Sequence, residues 1–160
     1  MIGWLARVFA SAEPSLSEAS PSDAATFARL HAASFHRGWS EDEIERLLLD
    51  RSVVAQRVLL GREIAGFMLS RRAADEAEIL SVAVAPRRRG RGLARKLLDL
   101  HLRRLAGLGT RTVFLEVDEA NQSGRRLYAR AGFREVGQRK GYYTQESGAA
   151  STAVVLRRDL

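Results

Sequence analysis

The stretch Val82-Ala83-Val84-Ala85-Pro86-Arg87-Arg88-Arg89-Gly90-Arg91-Gly92-Leu93-Ala94-Arg95-Lys96-Leu97-Leu98 decides how this chain is read. A β-branched apolar run stops at a proline, an arginine cluster with two glycines follows, and a leucine-periodic helix starts at once. Glycines let the backbone turn with its N–H groups inward, a helix start presents the positive end of its dipole, and arginines add charge. The segment reads as strand, turn and helix arranged around a phosphate-bearing ligand such as a pyrophosphate. A P-loop requires Gly-Lys followed by Ser or Thr, and none occurs here, which argues against kinase or ATPase chemistry. A dinucleotide fingerprint requires a third glycine where Arg95 stands, which argues against a nicotinamide enzyme.

Outward from this stretch the chain alternates helical and extended patterns. Ser15 to Ala19 reads as a first strand, and Pro21-Ser22-Asp23 opens a helix with Phe27, Leu30 and Ser34 or Phe35 on one face. Ser40 with Glu43 three residues later is a capping box for a second helix, and Trp39 is placed to pack on Ile44 as a hydrophobic staple. Val53 to Leu60 and Ile64 to Ser70 form an expected hairpin around Gly61-Arg62-Glu63. Glu78 to Val84, nearly all apolar, reads as a central strand covered on both faces. Leu93, Leu97, Leu98, Leu102 and Leu105 keep helical spacing until Gly107 and Gly109. Thr112 to Val117 alternates, with Phe114 and Glu116 opposite Val113, Leu115 and Val117. Asn121 caps a helix that carries Leu127 and Tyr128 and stops at Gly132. Phe133 to Gln138 and Thr152 to Leu156 are the last expected strands, separated by a loop from Gly141 to Ala150.

Composition bounds the function. The 160 residues are 46% apolar, enough for one sizeable core. The net charge is +7 and its positive part is almost all arginine, since Lys96 and Lys140 are the only lysines. Such a surface attracts polyanions: a phosphorylated ligand, RNA or an acidic protein. With no cysteine there is no disulfide, thiolate metal site or thiol acyl-enzyme, and a cytoplasmic location is expected. His31, His36 and His101 are scattered, so all three read as structural or surface residues and no metal is expected. The opening Met1 to Ala10 is apolar but broken by Arg7 and lacks a basic leader, so neither a signal peptide nor a membrane span is expected.

The segment Arg87-Arg88-Arg89-Gly90-Arg91-Gly92 resembles the acetyl-coenzyme A signature of the GNAT acetyltransferase superfamily, Gln or Arg, two residues, Gly, one residue, then Gly or Ala. Leu115-Glu116-Val117, Asn121, Leu127-Tyr128 and Gly132-Phe133 resemble the pattern of RimI-type ribosomal-protein-alanine N-acetyltransferases. Trp39-Ser40 and Lys140-Gly141-Tyr142-Tyr143 are similar to that subgroup too. Gly124, Arg125 and Gly141 depart from its usual residues. The resemblance runs from about Ser15 to Leu160. It implies an α/β (α+β) GNAT fold: a mixed, mostly antiparallel sheet of about seven strands, splayed between strands 4 and 5 and flanked by about four helices. Residues 1–12 are then an N-terminal arm and residues 13–160 a single acetyltransferase domain.

The resemblance also implies roles. Acetyl-CoA is the co-substrate, its pyrophosphate held by backbone amides from Arg87 through Arg88, Arg89, Gly90, Arg91 and Gly92 to Leu93, with Ala94 and Asn121 beside it. Val82, Ala83 and Val84 offer strand backbone to the pantetheine arm, as an added strand would find. The Val82 N–H is the expected oxyanion donor. Glu116 is the expected general base, acting directly or through a water, and Tyr128, also in cofactor contact, the acid that protonates the departing thiolate. Phe35, Trp39, Tyr142 and Tyr143 are expected to flank a groove for an extended N-terminal peptide, from a ribosomal protein in the resembling subgroup. Each residue also has a plainer reading: Glu116 paired with an arginine, Tyr128 covering the core, Asn121 as a cap alone, Trp39 as a staple alone. Two other functions fit the charge and the motif. One is acetylation of lysine side chains or a small-molecule amine. The other is a non-catalytic basic module that binds ribosome or RNA with strong salt dependence; no aromatic RNA-binding strand pattern supports it. No membrane partner is expected.

Overall fold

In the computed structural model, which describes residues 12–144 and 147–160, seven strands form one sheet in the order β1-β2-β3-β4-β5-β7-β6. They are β1 (Pro14–Glu18), β2 (Val53–Leu60), β3 (Glu63–Ala73), β4 (Glu76–Val84), β5 (Thr112–Asp118), β6 (Arg134–Thr144) and β7 (Ala150–Asp159). Four α-helices flank it among the described residues: α1 (Ala24–Ala32), α2 (Glu41–Leu49), α3 (Leu93–Gly107) and α4 (Gln122–Arg130). All neighbouring strands are antiparallel except β4 and β5, which α3 joins as a crossover. The expected fold class is therefore the observed one. Residues 1–11 of the expected arm, and the side chain of Tyr143, lie outside the described residues.

The expected elements arise from the residues that signalled them. The Ser40 hydroxyl accepts the Glu43 N–H at 3.1 Å, and the Glu43 carboxylate accepts the Ser40 N–H at 2.8 Å, closing the capping box of α2. Trp39 and Ile44 share one apolar cluster, as a staple requires. Five of the six leucines of α3 are buried, Leu93, Leu97, Leu98, Leu102 and Leu105, each contributing roughly 1.5–3 kcal/mol over an exposed leucine. The helix ends in a Schellman motif: Gly109 N–H bonds Ala106 C=O, Thr110 N–H bonds Leu105 C=O, and Gly109 takes φ +88°.

The sheet carries two cores. Val54, Met68, Val84, Val113 and Leu115 face α3 and α4. Ala55, Phe67, Leu69 and Ala83 face α1 and α2. On the first face His101 of α3 is fully buried, with Nδ1 3.0 Å from the Gln56 Oε1 and Nε2 2.6 Å from the Ser70 Oγ.

Three expectations are corrected. β4 is not covered throughout: Glu76 and Glu78 are exposed, and burial alternates along it because α1 and α2 cover only part of one face. Gly141 to Ala150 is not all loop, since Tyr143 and Thr144 pair with Ser151 and Ala150, while Gly141 at φ +68° sits in the irregularity between Arg139 and Tyr143. Ser34 and Phe35 lie beyond the end of α1 rather than on its face.

Candidate active site

The sheet opens where the parallel pair β4 and β5 stops. β4 and β5 pair from Glu76↔Thr112 to Ile79↔Leu115 and no further. Against β3, Leu69 pairs with Ser81 but Ser70 with Ile79, so Leu80 is an extra residue in β4. That bulge turns β4 away from β5 at the last shared pair. Beyond it β4 stays paired to β3 and β5 to β7, leaving a wedge between their inner edges.

At one mouth of the wedge lies the glycine loop. A 3-10 turn (Pro86–Arg88) closes with Arg88 N–H on Ala85 C=O at 2.8 Å and Arg89 N–H on Pro86 C=O at 3.4 Å. Gly90 and Gly92 then take φ +75° and +76°, and Gly92 starts α3 with no side-chain cap. Among the described residues, no protein group accepts from the N–H groups of Gly90, Arg91, Gly92, Leu93 or Ala94. A Cβ at Gly90 or Gly92 would meet no atom within 4 Å. The result is an open row of donors at a helix start, built to receive an anion. Of the seven loop amides expected to hold a pyrophosphate, those of Arg88 and Arg89 are spent within the turn.

The arginine side chains brace this loop. Arg87 and Arg88 each place a guanidinium nitrogen 2.7 Å from the Glu63 carboxylate, which holds that carboxyl down at about 2. Arg89 donates from Nε to the Val84 carbonyl at 3.1 Å and from Nη2 to the Ser34 hydroxyl at 3.1 Å.

The other mouth opens on the α1 and α2 side. Phe114 and Glu116 point there, opposite Leu115 and Val117, and among the described residues the cluster beneath α1 and α2 includes nothing from β5. Glu116 is 18% exposed and its Oε1 lies 2.9 Å from a guanidinium nitrogen of Arg139. Arg139 in turn covers the ring of half-exposed Tyr142, 4.6 Å from its centroid. Arg139 is a site residue that sequence reasoning missed; nothing in the alternation of β6 marks it.

Phe35 and Trp39 lie in the segment between α1 and α2. The buried His31 ring stacks between them, 4.3 Å from Phe35 and 4.4 Å from Trp39, and its Nδ1 accepts the Trp39 N–H at 3.0 Å. Burial lowers the His31 pKa to about 4 against the opposing pull of Glu43, so the ring is neutral with its proton on Nε2. His31 is thus structural as expected, but it holds the loop rather than the core. A cleft of about 320 Å³ lined by Trp39, Glu43, Arg46, Leu47, Asp50 and Arg71 adjoins this segment.

Tyr128 is 5% exposed and packs edge-on to Phe133 at 5.7 Å. Asn121 caps α4, its side chain accepting the Gly124 N–H at 3.0 Å. A Cβ at Gly124 would stand 2.7 Å from the Asn121 amide nitrogen, which explains a glycine where the resembling subgroup differs. Among the described residues no three His, Cys, Asp or Glu side chains gather as metal ligands, and no helix is long and apolar enough to cross a membrane.

Residues 23–133 match the family model of the acetyltransferase (GNAT) family. The chain is 37% identical over 100 residues to the [ribosomal protein bS18]-alanine N-acetyltransferase of Haemophilus influenzae, a match covering 62% of this chain and 68% of that one. The crystal structure of the ribosomal-protein-S18-alanine N-acetyltransferase from Escherichia coli superposes with a TM-score of 0.87 at 24% identity, covering 92% of this chain and 94% of the other. Arabidopsis thaliana NAA60 in complex with acetyl-CoA superposes with a TM-score of 0.81 at 19% identity, covering 92% and 99%.

Proposed function

The chain belongs to the acetyltransferase (GNAT) family, and on that premise we propose that it transfers the acetyl group of acetyl-CoA to the N-terminal α-amine of a protein, the alanine of a small-subunit ribosomal protein. The observation that supports this reading is the wedge, with an anion-receiving loop at one mouth and Glu116, paired with Arg139, on the α1 and α2 side. The open N–H groups from Gly90 to Ala94 suit the pyrophosphate of acetyl-CoA, with the inner edge of β4 from Val82 to Val84 for its pantetheine arm.

When bound, acetyl-CoA supplies a thioester carbonyl for attack. An amine attacks only when neutral; an α-amine titrates near about 8, a lysine near about 10.4, so the α-amine needs less help from a carboxylate base. Glu116 takes the amine proton, directly or through one water, as the N–C bond forms. The Val82 N–H polarises the carbonyl oxygen. Tyr128 donates its phenolic proton to the sulfur as the C–S bond breaks, and water restores it. No thiol acyl-enzyme can form, since the chain has no cysteine, and direct transfer in a ternary complex is the simplest route. Phe35, Trp39 and Tyr142 line the acceptor groove, in which Tyr143 shares the strand end with Tyr142.

The test is acetyl transfer from labelled acetyl-CoA to alanine-initiated peptides, beside peptides with a blocked N-terminus and an internal lysine. Transfer confined to free N-termini is the expected result. Equal labelling of blocked peptides would move the assignment to lysine.

A further inference from the structure

The donor loop and the acceptor wall are joined by a side chain that belongs to the glycine motif. Arg89 occupies one of the variable positions of Arg-x-x-Gly-x-Gly, and its guanidinium turns back to the Val84 carbonyl and the Ser34 hydroxyl, both at 3.1 Å. Ser34 is itself fixed, donating to the Leu30 carbonyl at 2.9 Å from the last turn of α1. The chain between that turn and α2 carries Phe35 and Trp39, and its far end is fastened by the Trp39 N–H on His31. Both ends of the acceptor wall are therefore tied down, one to a buried ring and one to the loop that faces the donor.

We infer that Arg89, acting through Ser34, is a positioning residue for the acceptor peptide rather than a ligand of the donor. This rests on the acetyltransferase reading above and deepens it. The Arg89 guanidinium is already engaged by the Val84 carbonyl and the Ser34 hydroxyl, and its own N–H closes the turn onto Pro86. Arg89 thus links the glycine loop to Ser34, and through it to the wall at Phe35. The Arg89–Ser34 bond is exposed and the Arg89–Val84 bond only part-buried, so their loss alters the placement of the wall more than the stability of the fold.

The experiment compares Arg89→Met, Ser34→Ala, the double variant and Ser34→Thr in the full chain, with calorimetry for acetyl-CoA and steady-state kinetics for an alanine-initiated peptide. Arg89→Met and Ser34→Ala should each raise the peptide KM about fivefold, with donor affinity and kcat close to wild type. The double variant should be no worse than either single one, because both remove the same link. Ser34→Thr, which keeps the hydroxyl, should restore the wild-type KM. An unchanged peptide KM would overturn the inference, and so would a loss of donor affinity in Arg89→Met that Ser34→Ala does not share. Wild-type protein that binds acetyl-CoA yet acetylates no peptide would overturn the acceptor reading and this inference together, a result separate from failure of the variants alone.

Discussion

A guanidinium nitrogen of Arg139 lies 2.9 Å from the Oε1 of Glu116, reaching from β6 across β7 to β5. The same guanidinium covers the Tyr142 ring, so one side chain holds both the expected base and one wall of the expected groove. Arg139 is 56% exposed and Glu116 18%, so solvent screens the pair on the arginine side and it contributes on the order of 1 kcal/mol to stability. Arg139→Met should leave the melting temperature within a few degrees and acetyl-CoA affinity unchanged, while the peptide KM rises several-fold. Melting curves and initial rates decide it; a fall in donor affinity instead would place Arg139 on the wrong side of the wedge.

Glu116→Gln and Tyr128→Phe keep shape and remove one proton function each. Each should lower kcat at neutral pH by about 100-fold or more with acetyl-CoA still bound in calorimetry. Tyr128→Phe also keeps the edge-on contact with Phe133, so its stability should change by no more than about 1 kcal/mol. Full activity of either variant with a peptide acceptor would reduce that residue to its plainer role, ion pair or packing.

Gly92 and Gly109 bracket α3, and both hold a positive φ, +76° and +88°. Neither would bring a Cβ within 4 Å of another atom, so substitution acts mainly through backbone strain. Replacing either by valine costs more than the 1–2 kcal/mol or so of an ordinary left-handed residue. Only Gly92→Val should abolish acetyl-CoA binding, because only that side chain stands in the anion loop. Equal loss of affinity in Gly109→Val would mean that the strain, not the position, is responsible.

Ser81 sits at the β4 bulge, is 5% exposed, and its hydroxyl has no hydrogen-bond partner among the described residues. Its cross-strand neighbour Leu69 belongs to the apolar cluster on the α1 and α2 face. A buried hydroxyl left unbonded destabilises its surroundings. Ser81→Ala should therefore be neutral or stabilising by about 1 kcal/mol in urea unfolding, where a buried polar substitution more often destabilises. A clear loss of stability would show that the hydroxyl is bonded in solution.

Most of the fold was legible because its signals are local. The Ser40 and Glu43 box, the leucine repeat of α3, the Asn121 cap and the glycines at helix ends act within a few residues of themselves. The alternation along β5 puts Glu116 and Phe114 opposite Val113, Leu115 and Val117, though which face α3 covers follows only from the topology. Relations set by register were not legible: Arg139 meets Glu116 through two strand pairings, and Arg89 meets Ser34 across 55 residues. The extension of β6 past Gly141 was missed because a positive-φ glycine inside a strand looks, in sequence, like the start of a loop. His31 gave no sign of its role, since its partner Trp39 lies eight residues on and meets it only when the chain folds back.

His31 and His101 together set an acid limit on stability. The His101 Nδ1 faces the Gln56 Oε1, which only accepts, so the proton is on Nδ1 and Nε2 accepts from the Ser70 hydroxyl. His31 carries its proton on the other nitrogen, but both rings are neutral and burial lowers both from 6.5 to about 4. A folded pKa below the unfolded one means that the unfolded chain binds the extra protons. The stability tied to these rings is complete above pH 6.5 and drains as pH falls toward 4, with a slope of up to about 2.7 kcal/mol per pH unit for two protons. Urea midpoints should therefore fall steadily from pH 6.5 to 4.5. Below that, Glu63 begins to add its own loss, since its carboxyl is held at about 2 in the fold and 4.5 outside it. His31→Phe keeps the stack on Phe35 and Trp39 but removes one titrating ring, so the slope between pH 6.5 and 4.5 should drop to about half that of the wild type. Parallel pH profiles for the two proteins would show that the ring between Phe35 and Trp39 is solvated and takes up its proton near 6.5.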